Sequence, residues 1–325
     1  MRFTVSRLGM VLALLLLTAP LAAQAQQAGK VYRVGYLTGY SVPQLFEAFR
    51  QGLLDLGWSE NRNLVLEARS AEGKTERIPM LAAELVQRKV DVMVVSATAI
   101  NEAKHAIAGT PTVFLTTDDP VSAGYVTSLG RPGGRMTGVT SLNLDLDAKR
   151  LEILMAALPG VSRVGILSIP HDRANRERLA AVERGARTLG VQTQVFEVPK
   201  PDQVQAAFDA AGRARIGALM ILGSAPFYLQ QTRIALLAAK TRLPVISAWR
   251  DFPDAGGLMS YGTNVPAMYR RASSYVDRIL KGANPADLPV DRAATFELII
   301  NVKTAKALGL MIPPPLLLRA DQLIE

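Results

Sequence analysis

From residue 31 onward, short apolar runs alternate with longer stretches whose apolar residues recur at helical spacing. Arg33-Val-Gly-Tyr-Leu37 is a compact apolar run. Leu45, Phe46, Phe49, Leu53 and Leu56 follow on one helical face, which Gly57 ends. Residues 64–68 predict a second strand and 79–88 a second helix. Residues 90–95, 99–108 and 112–115 predict a third strand, a third helix and a fourth strand. Strands alternating with helices imply βαβ crossovers, and hence a parallel sheet covered on both faces.

The same order restarts at Arg163-Val-Gly-Ile-Leu167. A helix over 175–189, closed by Gly190, leads to strand 195–198, helix 203–213, strand 216–222, helix 229–241 and strand 244–246. This shared order predicts an α/β protein of two doubly wound parallel-sheet lobes. Met136-Thr-Gly-Val-Thr140 can cross from the first lobe to the second, and Leu258-Met-Ser-Tyr261 can cross back. A third crossing falls near 289–296. The lobes are therefore expected at 31–139 plus 263–290 and at 140–260 plus 291–325. Gly138, Thr140, Ser141, Ser260 and Tyr261 are the expected hinge.

The first 25 residues read differently. Arg2 and Arg7 precede the apolar run Leu8-Gly-Met-Val-Leu-Ala-Leu-Leu-Leu-Leu17, Pro20 breaks it, and Ala23-Gln-Ala25 offers a cleavage site. The run is shorter than the roughly 20 residues a membrane span needs. A cleaved export signal at 1–25 and a soluble periplasmic protein are expected. The chain holds no cysteine, which excludes disulfide scaffolds, thiol catalysis, Cys-ligated metals and a lipid-anchored N-terminal Cys. A net charge of +9 raises nucleic acid as a partner, but no block of five like charges supports it. The densest basic stretch, Arg173, Arg176, Arg178, Arg184 and Arg187, is interleaved with Glu177 and Glu183 and reads as a solvated helix face.

In open α/β sheets, ligands sit beyond the carboxyl ends of the strands, so the loops there carry the candidates. In the first lobe these are Tyr40, Ser41, Ser96, Ala97, Thr98, Thr117 and Asp119. In the second they are His171, Asp172, Ser224, Phe227, Trp249 and Asp251. Ser96 and Thr98 open a helix after a buried strand, where they either cap it or hold a carboxylate. Asp119 fits a cap before Pro120 as well as an ammonium acceptor, and Asp251 fits an ammonium acceptor or an internal pair with Arg250. The aromatic residues Tyr40, Phe227, Tyr228 and Trp249 suit either core packing or an aromatic ligand. Asp147 reads as the cap of a helix over 148–158. No nucleophile with a positioned base, no metal-ligand spacing and no cofactor fingerprint is present, so neither enzyme, metal nor cofactor is expected.

Several motifs resemble the tryptophan/tyrosine-type substrate-binding proteins of ABC transporters. They are Gly52-Leu-Leu-Asp-Leu-Gly-Trp58, Asp118-Asp-Pro120 with Arg131-Pro-Gly-Gly134 and Thr137-Gly138, and Lys149-Arg-Leu-Glu152. Gly256-Gly-Leu-Met-Ser-Tyr-Gly262, Phe296-Glu-Leu-Ile-Ile-Asn301 and Lys303-Thr-Ala-Lys-Ala-Leu-Gly309 complete the set in the same order. The resemblance implies a type I periplasmic-binding-protein fold whose monomer closes around a small solute. It also implies delivery to an inner-membrane permease with its ATPase. Ser168-Ile-Pro170 stands where relatives often carry Trp-Asn-Pro, so one cleft loop differs. Amino acids or related small carboxylates are the expected ligands. A sensory receptor for the same solutes and, more remotely, a periplasmic enzyme are the alternatives.

Overall fold

The computed structural model describes residues 30–325 apart from 118, 142–144, 171–172 and 294–295. The chain begins with β1 (Tyr32–Thr38), α1 (Pro43–Asp55), β2 (Leu64–Ser70), α2 (Ile78–Gln87), β3 (Val92–Val95), α3 (Ile100–Ala103), β4 (Thr112–Thr116) and β5 (Met136–Thr140). It continues with α4 (Asp145–Ala157), β6 (Arg163–Ser168), α5 (Arg173–Leu189), β7 (Gln192–Glu197), α6 (Val204–Arg213), β8 (Ala218–Ile221), α7 (Ala225–Tyr228), α8 (Gln231–Thr241), β9 (Val245–Ser247) and α9 (Asp251–Asp254). The last elements are β10 (Met259–Thr263), α10 (Val265–Leu280), β11 (Asp291–Arg292), β12 (Phe296–Asn301), α11 (Val302–Leu308), α12 (Pro314–Leu317) and β13 (Gln322–Ile324).

Two sheets result, a six-stranded one in the order β11-β5-β4-β3-β1-β2 and a seven-stranded one in the order β13-β12-β10-β9-β8-β6-β7. The pairing is parallel except where β10 meets β12. Because side chains alternate across a strand, each sheet feeds two cores. In β3, Val92 and Val94 enter the core under α1 and α10, while Met93 and Val95 enter the opposite one. In β8, Ala218 and Met220 face one core, and Leu219 and Ile221 the other. The architecture is the pair of α/β lobes expected from the repeat.

Several local expectations need correction. The helix expected over 99–108 is regular only in α3 and continues as hydrogen-bonded turns to Thr110. Ile100, Ala103 and Ile107 still bury one face, so helical spacing in the sequence is satisfied without a full helix. The helix expected over 229–241 is α8, which starts at Gln231, and a separate short helix, α7, precedes it. Gln231 bridges the break by donating to the Phe227 carbonyl and accepting from Ser247. Residue 140, assigned with the second lobe, ends β5 in the first sheet. Asp291 and Arg292 likewise pair with Val139 and Thr140 of β5 before the chain leaves that sheet.

The strands that lead out of each sheet are held close to their neighbours. A Cβ at Gly138 in β5 would run into the Phe114 carbonyl oxygen, and one at Gly262 in β10 into that of Ala248. Only glycine permits this approach. After β10, Asn264 caps α10 by accepting from the Ala267 amide, and its side-chain amide donates to Glu297 of β12. That helix packs on the first sheet, so the chain changes lobe at this cap.

Candidate ligand-binding cleft

The carboxyl ends of the two sheets face one cleft of about 1000 Å³, open solvent included. This is large enough for a ligand of amino-acid size. Thr38 at the end of β1, Ser96–Thr98 after β3 and Thr117 after β4 line one side. Gly223 after β8 and Trp249 after β9 line the other.

The first-lobe side is polar. Ser96 Oγ donates to Thr38 Oγ1 at 3.0 Å and lies 2.8 Å from Thr98 Oγ1. Thr38 donates to the Tyr40 carbonyl, and Thr98 Oγ1 accepts from the Gly39 amide at 2.9 Å. Thus Ser96 and Thr98 neither cap α3 nor stand free. They tie the β1 and β3 loops together through hydroxyls, and α3 has no side-chain cap. The donors left over are the amides of Ala97 and Thr98, which bond to no other described residue. Amides of this kind suit a carboxylate oxygen.

A buried charge cluster occupies the floor. Helix α4 starts two residues before the expected cap, so Asp147 falls within its first turn and points inward, 3% exposed. It pairs with Arg150 one turn on, and Arg178 Nε of α5 lies 3.8 Å from its other oxygen. Arg150 Nε also donates to the Tyr261 carbonyl at 2.7 Å. Burial pushes the Arg150 guanidinium down from its ordinary value; Asp147 opposes this and Arg178 adds to it. Arg178 is not on the solvated face expected of α5, where Arg176, Arg184 and Arg187 are exposed. It donates to the Gly223 carbonyl of its own lobe and, at 3.2 Å, to the Thr117 carbonyl of the other. This arginine therefore bridges the cleft.

The remaining wall is aromatic. Tyr36, Tyr40, Tyr228, Trp249 and Tyr269 line it, with Tyr228 and Trp249 edge to face at 5.5 Å. Burial pushes the Tyr269 phenol up to about 12 and the Tyr36 and Tyr228 phenols up as well, so these three hydroxyls stay neutral at physiological pH.

Among the expected residues, Tyr40, Ser96, Ala97, Thr98, Thr117 and Trp249 line the cleft. Ser41 is exposed and does not line it. Asp119 accepts from the Val121 amide at 3.1 Å and caps a turn. Phe227, 2% exposed, belongs to the second-lobe core, where its position in a four-residue helix turns it inward. Ser224 is buried one residue beyond the lining Gly223. His171 and Asp172 lie outside the described residues.

Asp251 also stands back from the cleft. Its carboxyl meets the Tyr228 hydroxyl, and burial holds it above the usual carboxylate range. The expected pairing with Arg250 is absent, because Arg250 turns to Glu297 at 3.2 Å and to Gln322 at 2.9 Å. Of the expected hinge residues, Gly138 and Thr140 are inside β5 and Ser260 and Tyr261 inside β10, all paired in ladders. Ser141 follows β5, and its amide still bonds to Thr116.

The sequence reading missed Tyr36, Asp147, Arg150, Arg178 and Tyr269 as lining residues. For the arginines a signal existed. Arg178 shares the buried stripe of α5 with Ala181, Val182 and Ala186, and Arg150 that of α4 with Leu146 and Leu154.

Comparison with known proteins agrees with this geometry. The family model described as "ABC transporter substrate binding protein" matches residues 35–324. A "Tyrosine-binding protein" of Clostridioides difficile (strain R20291) is 25% identical over 285 residues, covering 83% of this chain and 78% of that protein. A conserved domain protein from Vibrio cholerae superposes with a TM-score of 0.82 at 26% identity, over 90% of this chain and all of that one. An ABC domain from Streptococcus pneumonia, solved in complex with L-Trp, gives a TM-score of 0.83 at 23% identity, over 91% and 100%. Two lobes, a polar and aromatic cleft between them and a match along nearly the whole described chain converge: this protein belongs to the ABC transporter substrate binding protein family.

Proposed function

We propose that the protein captures a small carboxylate with an aromatic or apolar body, an amino acid or a related compound, between its lobes. It then delivers this solute to an inner-membrane permease driven by its ATPase. The observation that carries the reading is the pairing, across one cleft, of the Ala97 and Thr98 amides, unpaired among the described residues, with the Tyr228–Trp249 wall. The amides suit the carboxylate and the rings suit the body. The names of the relatives, one tyrosine-binding and one solved with L-Trp, support the same ligand class.

The lobes close on the ligand as a monomer, with the hinge where the chain leaves the sheets, at Ser141 after β5, Asn264 after β10 and Ala293 after β11. Arg178, reaching to Thr117 from the opposite lobe, is a contact that such closure makes. No helix among the described residues is long and apolar enough to cross a membrane. With the signal at 1–25, we place the mature chain in the periplasm. Mass spectrometry of the exported protein should give an N-terminus at Gln26; a retained Met1 in a membrane fraction would reject this.

A thermal-shift screen tests the ligand class. Carboxylates of the right shape at 100 times their dissociation constant should stabilise the fold by about 2.7 kcal/mol. Stabilisation by sugars, with none by any amino acid or aromatic carboxylate, would overturn the reading.

A further inference from the structure

The two rings of the aromatic wall stand on short pieces of backbone. Tyr228 is the last residue of α7, a single turn, and Trp249 lies two residues past β9, a strand of only three residues. Neither element is long enough to hold a ring's direction by its own backbone ladder. A buried polar chain joins the two instead. Gln231, at the start of α8, donates through Nε2 at 2.7 Å to the carbonyl of Phe227, the residue before Tyr228. Its Oε1 accepts from the Ser247 hydroxyl at 2.9 Å, and Ser247 Oγ accepts from the Trp249 amide at 3.3 Å. The hydrogen bonds thus run from the backbone beside one ring to the backbone of the other.

This chain lies behind the cleft. Gln231 is 4% exposed and Ser247 is fully buried, and neither lines the cleft. On α8, Gln231 heads the buried stripe that continues with Ile234, Ala235 and Ala238. Such a stripe position is ordinarily apolar, and Leu or Met would fill it with no polar group to satisfy. A buried amide paired at both ends adds direction, because its partners must sit at fixed places. A second contact ties the same segments: the Tyr228 hydroxyl meets the carboxyl of Asp251, two residues past Trp249. The rings they carry stand edge to face at 5.5 Å and 77°.

We infer that Gln231 is a positioning residue for ligand specificity. Through Phe227 and Ser247 it fixes the Tyr228–Trp249 pair, and the fixed pair makes the cleft prefer a flat aromatic body over an aliphatic one with the same polar head. This rests on reading that pair as the wall for the ligand's body. A ring seated against an oriented pair gains from geometry as well as from buried area, whereas an aliphatic body gains from area alone. Loosening the pair therefore costs the aromatic ligand and spares the aliphatic one.

Calorimetric titration with two matched pairs tests the inference: phenylalanine against leucine, and 3-phenylpropanoate against 4-methylpentanoate. Wild-type protein should bind the aromatic member of at least one pair about fivefold tighter or better. Gln231→Met, similar in length and apolar, should bring that preference within about twofold and leave the aliphatic affinity within about twofold of wild type. Ser247→Ala should do the same, and the double variant should lose no more than either single one, since the chain acts as a unit. A second arm needs no ligand. In a Trp58→Phe background, Gln231→Met should weaken the near-ultraviolet circular-dichroism band of Trp249 by about half or more, with the far-ultraviolet signal unchanged. An unchanged band, wild-type binding without the aromatic preference, a preference that survives the substitutions, or equal losses for both members of a pair would overturn the inference. Should Gln231→Met fail to fold, Ser247→Ala gives the same readings. Wild-type binding of none of the four compounds would overturn the proposed ligand class, and the spectral arm then decides whether Gln231 positions Trp249.

Discussion

Replacing Asp147 with Ala is expected to destabilise the fold by about 3–5 kcal/mol, as removal of one partner from a buried ion pair generally does. The carboxylate is 3% exposed, and it is the only acidic group within salt-bridge distance of Arg150 and Arg178 among the described residues. Its loss leaves two buried guanidiniums facing each other with backbone carbonyls as their remaining partners. Chemical denaturation of the purified variant measures this. Glu152→Ala, which breaks a neighbouring exposed pair with Lys149 on the same helix, should cost under about 1 kcal/mol. Equal losses in the two variants would show that the buried cluster has no special weight.

Substituting Ser96 and Thr98 by Ala should weaken ligand binding by about 1–3 kcal/mol for each hydroxyl removed, or roughly five- to 150-fold. The route differs from the one the sequence suggested. The hydroxyls bond chiefly to each other, to Thr38 and to the Gly39 amide, so they hold the two loops in register. Without them the Ala97 and Thr98 amides lose their fixed direction, and a buried amide at Gly39 loses its acceptor. Titration of the variants with the carboxylate selected by thermal shift gives the answer. Affinities unchanged within about twofold would exclude this side of the cleft as the carboxylate end.

The lobes were legible because buried parallel strands read as short apolar runs, and because Arg33-Val-Gly-Tyr-Leu37 and Arg163-Val-Gly-Ile-Leu167 open the same series. Cleft loops were legible for the same reason: once strand ends are known, Ser96–Thr98 and Trp249 must lie beyond them. The roles of single residues were less so. Asp147 has the sequence profile of a helix cap, and only the start of α4 at Asp145 turns it inward. Arg178 sits in an arginine-rich stretch whose other described members are solvated. Its burial follows from the packing of α5 against α4, a tertiary fact that composition hides. Phe227 and Trp249 are both aromatic and nearly buried, yet one fills the core and the other lines the cleft.

The central claim is that a small carboxylate binds between the lobes, and Trp249 reports on that directly. The chain has two tryptophans. The other, Trp58, packs against Tyr32 and donates to Asp277 at 2.9 Å, and it does not line the cleft. In a Trp58→Phe variant, emission therefore comes from Trp249 alone. Titration with the carboxylate that stabilises the wild-type protein should change this emission saturably, with one equivalent bound at the end point. A carboxylate that stabilises the fold yet leaves Trp249 emission unchanged at saturation would place its site elsewhere and contradict the account.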